Sequence, residues 1–157
     1  MKTLAIPLTA AAFAPFGFVI DVPTGGERTG PHEVFADTRG GAKLGVTLID
    51  LRPSERPRRI VQIERHVNAV QYFLHLSGAP VSLVVFPTQA GGSPDLARPH
   101  AFFAQAGQSF GYHKGTWHAG VAALGEASCV ASLLSRDGSR GDVEERAVET
   151  PIEVDWT

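Results

Sequence analysis

An acid, an imidazole and an amide crowd into one short stretch of this chain, Ile60-Val-Gln-Ile-Glu64-Arg65-His66-Val-Asn-Ala-Val-Gln71. The stretch reads as two β-strands folded about a tight corner at Val67-Asn68-Ala69. Side chains alternate along a strand with period two, so Ile60, Gln62, Glu64 and His66 are expected on one face and Arg65 on the other. Past the corner, Gln71 opens a second strand that can fold back beside His66. Three polar groups then converge on an otherwise apolar sheet. Burying them is costly unless they find partners, a metal or a ligand. An imidazole tuned near neutrality is also the usual agent of proton transfer.

The elements that must position this cluster are strands. The chain has 157 residues, with 17 glycines and 11 prolines, and its apolar residues come in short bursts between them. That is the texture of an all-β domain, and the length suits one domain spanning 1–157. Strands are predicted over residues 3–8, Phe18–Ile20, Leu44–Leu51, the two arms of the central hairpin, Val81–Phe86, Pro99–Ala104, Phe110–His118 with a sharp corner at Gly115, and Ala127–Leu134. Val81–Phe86 is nearly all apolar, as in a strand covered on both faces. Val34-Phe35-Ala36 reads as a short edge strand. Thr9 can cap a short helical turn through Ala10-Ala11-Ala12. This turn, and Pro7 before it, favour a structural reading of an N-terminus that superficially resembles a signal peptide. The arginines of Arg52–Arg59 read as a solvated loop tip, and Asp142–Glu149 as a charged segment.

A net charge of −2 and the absence of a Lys/Arg run give no reason to expect nucleic acid. No apolar run is long enough to span a membrane as a helix. Cys129 is the sole cysteine, which excludes an internal disulfide and fits a reducing cytoplasm.

The spacing Glu64-x-His66-(four residues)-Gln71 resembles the first metal-binding motif of the cupin barrels, with Glu64 in the first His position and Gln71 in the Glu position. Gly115-Thr116-Trp117-His118 is similar to the second cupin motif. More narrowly, Glu64-Arg65-His66…Gln71-Tyr72-Phe73, Ala101-Phe102 and Tyr112-His113-Lys114-Gly115-Thr116-Trp117-His118 resemble the signature stretches of the ureidoglycolate lyase family. So do the opening Pro7-Leu8-Thr9…Ile20 and the ending around Ser135-Arg136-Asp137. Ala119-Gly120 stands where the family commonly continues with His-Pro, and Val67 where it tends to have Pro.

The resemblance implies a cupin-like antiparallel β-barrel, or jelly roll, with one or two short helical turns. It implies cleavage of (S)-ureidoglycolate to glyoxylate and urea, a C–N lyase step late in allantoin (purine) breakdown, by a cytoplasmic homodimer. His66, His118 and Glu64 are then the catalytic candidates, and Lys114, Tyr112 and Gln71 the substrate-binding ones. Glu64, His66, Gln71 and His118 could hold a divalent metal. Such mixed oxygen and nitrogen donors suit Ni, Mn, Fe or Zn. Lys114 is placed to grip the substrate carboxylate as a mobile point charge, while His113 should point away. Trp117 is expected to pack outward, and Arg65 and Arg136 to pair with carboxylates of the protein. His32, His75 and His100 are given no role. The alternatives are another small-acid cupin enzyme (an isomerase or metal-dependent oxygenase) and a non-catalytic small-molecule-binding cupin.

Overall fold

The computed structural model describes residues 1–23, 25–28, 30, 37 and 39–157; the expected edge strand at 34–36 and His32 lie outside the described residues. The strand β7 (Val81–Phe86) shows how the fold is layered. All six of its residues are buried. Val81, Leu83 and Val85 enter one apolar core, while Val84 and Phe86 enter a second on the opposite side. Alternation on a strand produces this split only when both faces are covered.

Two sheets provide the cover. One runs in the order β1 (Lys2–Leu4), β13 (Glu144–Asp155), β5 (Arg58–Arg65), β10 (Trp117–His118), β7, β8 (His100–Ala104), β2 (Ile6–Pro7), with β11 (Ala122–Ala123) also paired to β7. The other runs β3 (Gly17–Ile20), β9 (Ser109–Tyr112), β6 (Gln71–Gly78), β12 (Ser128–Arg136), β4 (Lys43–Leu51). The first core lies between them and draws Phe73, Phe110, Tyr112 and Val130 from one sheet and Leu83, Val85 and Phe102 from the other. Full burial of each such side chain contributes roughly 1.5–3 kcal/mol. The second core, around Trp117, Phe86 and Ile152, lies on the outer face of the larger sheet under Leu96 and Trp156.

Pairing between the described strands is antiparallel except where β1 joins β13 and β2 joins β8 in parallel, and an isolated bridge between Pro53 and Ala123 is also parallel. The helical turn α1 (Ala10–Phe13) starts at Thr9, whose Oγ1 accepts the Ala12 N–H at 3.3 Å, and it drops Phe13 into the inner core. A 3-10 turn at Arg140–Asp142 precedes β13.

Four expectations are corrected. The arms of the central stretch are not a hairpin: β5 pairs with β13 and β10, whereas β6 pairs with β9 and β12. The corner at residues 66–70 is a crossover between sheets, and its polar groups meet across the barrel interior. Ile60 does not share a face with Glu64, because it enters the outer core with Ile63. The ladder to β13 shifts register opposite this point, between Ala147 and Ile152, and regular alternation fails there. Asp142–Glu149 is mostly strand: from Glu144 onward it belongs to β13, where Glu145, Arg146 and Glu149 are exposed and Val148 is buried, and Pro151 falls in the register shift. Lastly, Arg58 is no loop tip. Its guanidinium donates to the Ser82 carbonyl (3.2 Å), to Ser82 Oγ (3.1 Å) and to the Gly120 carbonyl, bridging a gap left where the chain after β10 departs from β5.

Candidate active site

The two motif halves meet as neighbours on one rung. β10 lies antiparallel beside β5 with His118 opposite Glu64, so both side chains leave the sheet on the inner face. Gly115 makes the approach possible. Its φ of +76° turns the chain sharply between β9 and β10, and its N–H bonds the His66 carbonyl at 2.8 Å. That bond ties the second motif half to the corner that ends the first.

Each imidazole is fixed by a backbone carbonyl. His66 Nδ1 lies 2.8 Å from the Asp142 carbonyl, and His118 Nδ1 lies 2.8 Å from the Thr116 carbonyl. A carbonyl only accepts, so each Nδ1 carries the proton and each Nε2 presents a lone pair. Both Nε2 atoms are buried without a hydrogen-bond partner among the described residues. Glu64 Oε1 lies 3.5 Å from His118 Nε2 and 3.8 Å from His66 Nε2, and the ring centroids are 5.6 Å apart. One ligand atom from each of the three residues falls within 4.8 Å of the others. Two inward lone pairs and a carboxylate oxygen are the donor set of a divalent cation, and the residues fit one.

The electrostatics agree with that polarity. The His118 ring, 3.5 Å away, holds the Glu64 carboxyl below its ordinary range against the opposing effect of burial, with a smaller contribution from His66. Burial pushes His66 down, so its ring is neutral near pH 7. The Tyr112 ring stacks on His118 at 4.2 Å and 21°. Burial raises its phenol, which therefore remains a donor at any physiological pH. The Glu64 side chain is 32% exposed, beside a depression of about 220 Å³ lined by Gln62, Ile63, Glu64 and Gly120.

Glu64, His66 and His118 thus come together as expected, with Tyr112 against them. Gln71 faces Tyr112 across one rung of the smaller sheet and is buried. Lys114 stands exposed on the turn before Gly115 and lines a separate cleft of about 490 Å³ with His100, His113 and Phe86, which none of the three clustered residues reaches. His113 does turn outward, its Nε2 3.3 Å from the Ala14 carbonyl. Arg65 pairs with Glu144 at 2.8 Å and lies over the Trp117 ring at 4.7 Å, and Trp117 donates to the Gly92 carbonyl. The exposed Arg136 has no ion pair among the described residues, yet its charge reaches Glu64 and His66.

Sequence reasoning missed the groups that hold the imidazoles. The Asp142 carboxylate accepts the N–H groups of Asp137 (3.1 Å) and Gly138 (2.8 Å) and pairs with Arg39 (2.8 Å), so the turn presenting its carbonyl to His66 is itself pinned. The sequence Asp137-Gly138-Ser139 marks a turn, but no residue type marks which carbonyl will face a histidine 76 positions away.

The family model for ureidoglycolate lyase matches residues 1–155. A protein named ureidoglycolate lyase from Rhizobium etli (strain CIAT 652) is 36% identical over 157 residues, covering 94% of this chain and 92% of that protein. One of the same name from Burkholderia mallei (strain NCTC 10229) is 38% identical, covering 82% and 79%. Among solved structures, a dTDP sugar isomerase from Desulfovibrio desulfuricans G20 superposes with a TM-score of 0.50 at 18% identity, covering 83% of this chain and 82% of that one, a likeness of fold alone. The barrel is cupin-like, and the chain belongs to the ureidoglycolate lyase family.

Proposed function

We propose that the Glu64–His66–His118 site cleaves (S)-ureidoglycolate to glyoxylate and urea. The observation that carries this reading is the pair of buried, inward Nε2 lone pairs beside one carboxylate, in a chain of this family. The substrate is a hemiaminal whose central carbon bears a hydroxyl, a carboxylate and the urea nitrogen. Cleavage removes the hydroxyl proton, forms the aldehyde C=O, breaks the C–N bond and returns a proton to the departing nitrogen. His66 Nε2, neutral through burial, accepts the hydroxyl proton. Protonated in that step, His66 hands the same proton to the leaving nitrogen, while the Glu64 carboxylate, 3.8 Å from its Nε2, stabilises the transient imidazolium. A divalent cation held instead by Glu64, His66 and His118 would supply charge stabilisation to the hydroxyl and carboxylate oxygens. Lys114, on its exposed turn, draws the anionic substrate toward the site.

Three further readings accompany this one. The protein acts as a homodimer in the cytoplasm, and the chain folds as one domain. Leu44, Val46 and Leu48 support pairing, because they lie 49%, 63% and 70% exposed along β4, the last strand of its sheet among the described residues. The free thiol of Cys129 supports a reducing compartment, and no helix among the described residues is long and apolar enough to cross a membrane. The decisive test is release of urea and glyoxylate from racemic ureidoglycolate above the spontaneous rate, before and after chelator treatment, with metal analysis of the fresh protein. Wild-type protein that does not exceed the spontaneous rate under either condition, or after metal is added back, rejects the lyase.

A further inference from the structure

Two buried polar atoms of the interior are left over once the imidazoles and Glu64 have been assigned. Gln71 Oε1 and the Tyr112 hydroxyl have no hydrogen-bond partner among the described residues, although Gln71 is 6% exposed and Tyr112 1%. Leaving such a group unpaired in the interior is costly, so two of them side by side call for a ligand. Their positions are related: Gln71 and Tyr112 face one another across a rung of β6 and β9, so their side chains project together into the barrel from the sheet opposite Glu64 and His118. Their polarity is fixed. Gln71 Nε2 is taken by Ser132 Oγ at 3.2 Å, which leaves Oε1 as an inward acceptor. The Tyr112 phenol carries an O–H, and that unpartnered group is an inward donor.

An acceptor and a donor on adjacent strands match a group that offers an N–H beside a C=O. We propose that Gln71 and Tyr112 form the ureido-reading edge of the site: Gln71 Oε1 accepts a ureido N–H and Tyr112 donates to the ureido carbonyl. Ser132 is the positioning residue that holds the amide the right way round. This rests on the lyase reading for the identity of the substrate, and it orients that substrate with its ureido end on the smaller sheet and its carboxylate and hydroxyl toward Glu64, His66 and His118. It also makes Gln71 a specificity residue and removes it from any metal's ligands.

The test measures binding and does not depend on turnover. Hydantoate carries the ureido and carboxylate groups without the reacting hydroxyl, and lactate carries the hydroxyl and carboxylate without the ureido group. Titrated calorimetrically into the wild-type protein, hydantoate should bind at least about tenfold more tightly than lactate, in line with one or two hydrogen bonds. Gln71→Met and Tyr112→Phe should each weaken hydantoate about 5- to 30-fold and lactate less than about 2-fold. Ser132→Ala should weaken hydantoate alone, and Ser132→Thr should restore it. Metal content should be unchanged in Gln71→Met. Equal losses for both ligands, unchanged hydantoate affinity in both Gln71→Met and Tyr112→Phe, or loss of metal with Gln71→Met would overturn the proposal. Melting curves identify a variant that fails to fold, in which case the remaining variants decide. A wild-type protein that binds hydantoate with this pattern yet releases no urea would reject the lyase and leave the ureido edge standing.

Discussion

The rung formed by β5 and β10 carries two opposite kinds of chemistry on its two faces. On the outer face, Arg65 pairs with Glu144 and stacks on Trp117, whose indole N–H reaches the Gly92 carbonyl. Each of these polar groups has a partner. On the inner face, one residue along each strand, Glu64 and His118 stand with His66 around atoms that lack one. Both faces are partly buried, and both mix charge with aromatic rings. Satisfaction of hydrogen bonds is what separates them: complete pairing builds stability, and incomplete pairing leaves capacity for a substrate or cation.

That contrast can be broken most forcefully from the inside. His118→Ala and His66→Ala should each lower kcat on ureidoglycolate by about 10²–10⁴-fold, with little change in melting temperature. Near-normal kcat in His118→Ala would remove the second motif half from the site. Trp117→Ala should do the reverse, costing about 3–5 kcal/mol of folding stability in denaturant titrations by emptying the outer core. If it folded as well as wild type, the outer face would not be the structural one. Lys114→Ala is expected to raise KM by roughly 3- to 10-fold with kcat preserved, the loss of one exposed charge attracting an anion. Arg65→Ala should cost only about 1 kcal/mol and leave kcat untouched, since the ion pair is partly exposed.

The smallest effect concerns acid. Burial holds the folded-state pKa of His66 below its unfolded value, near 6.5. As the pH falls through that value the unfolded chain takes up its proton first, so stability present above it is lost on the acid side. Glu64, whose folded-state pKa is also lowered, adds a loss in the same direction below its unfolded value of 4.5. His66→Asn should therefore show a smaller fall in melting temperature than wild type between about pH 7 and pH 5.5. An equal fall in the two proteins would mean that His66 titrates alike folded and unfolded.

Much of the site was legible because it is written in short-range order. Period-two alternation puts Glu64 and His66 on one side and Arg65 on the other, and Gly115 marks the corner before Trp117-His118. Both hold in the fold. The strand ends at Leu51, Phe86 and Ile20 also follow local breakers and apolar runs. Asp142–Glu149 was not recognised as strand because Glu144, Glu145 and Arg146 are consecutive charges with no period-two pattern, and such a run resembles a loop. The Ile60 face was missed because a register shift in a partner strand leaves no mark on the residues opposite.

Residue type and local periodicity were enough for an all-β chain and for the residues with chemistry in them, while the family came from the resemblance of whole stretches to known relatives. Only the tertiary structure decided that the stretch around residue 66 crosses between sheets, that His118 lies opposite Glu64, and that Asp142, Thr116 and Ser132 supply the bonds that aim the site inward. Those are pairings between positions far apart in the chain. Every backbone carbonyl is chemically alike until packing chooses which one a histidine will face.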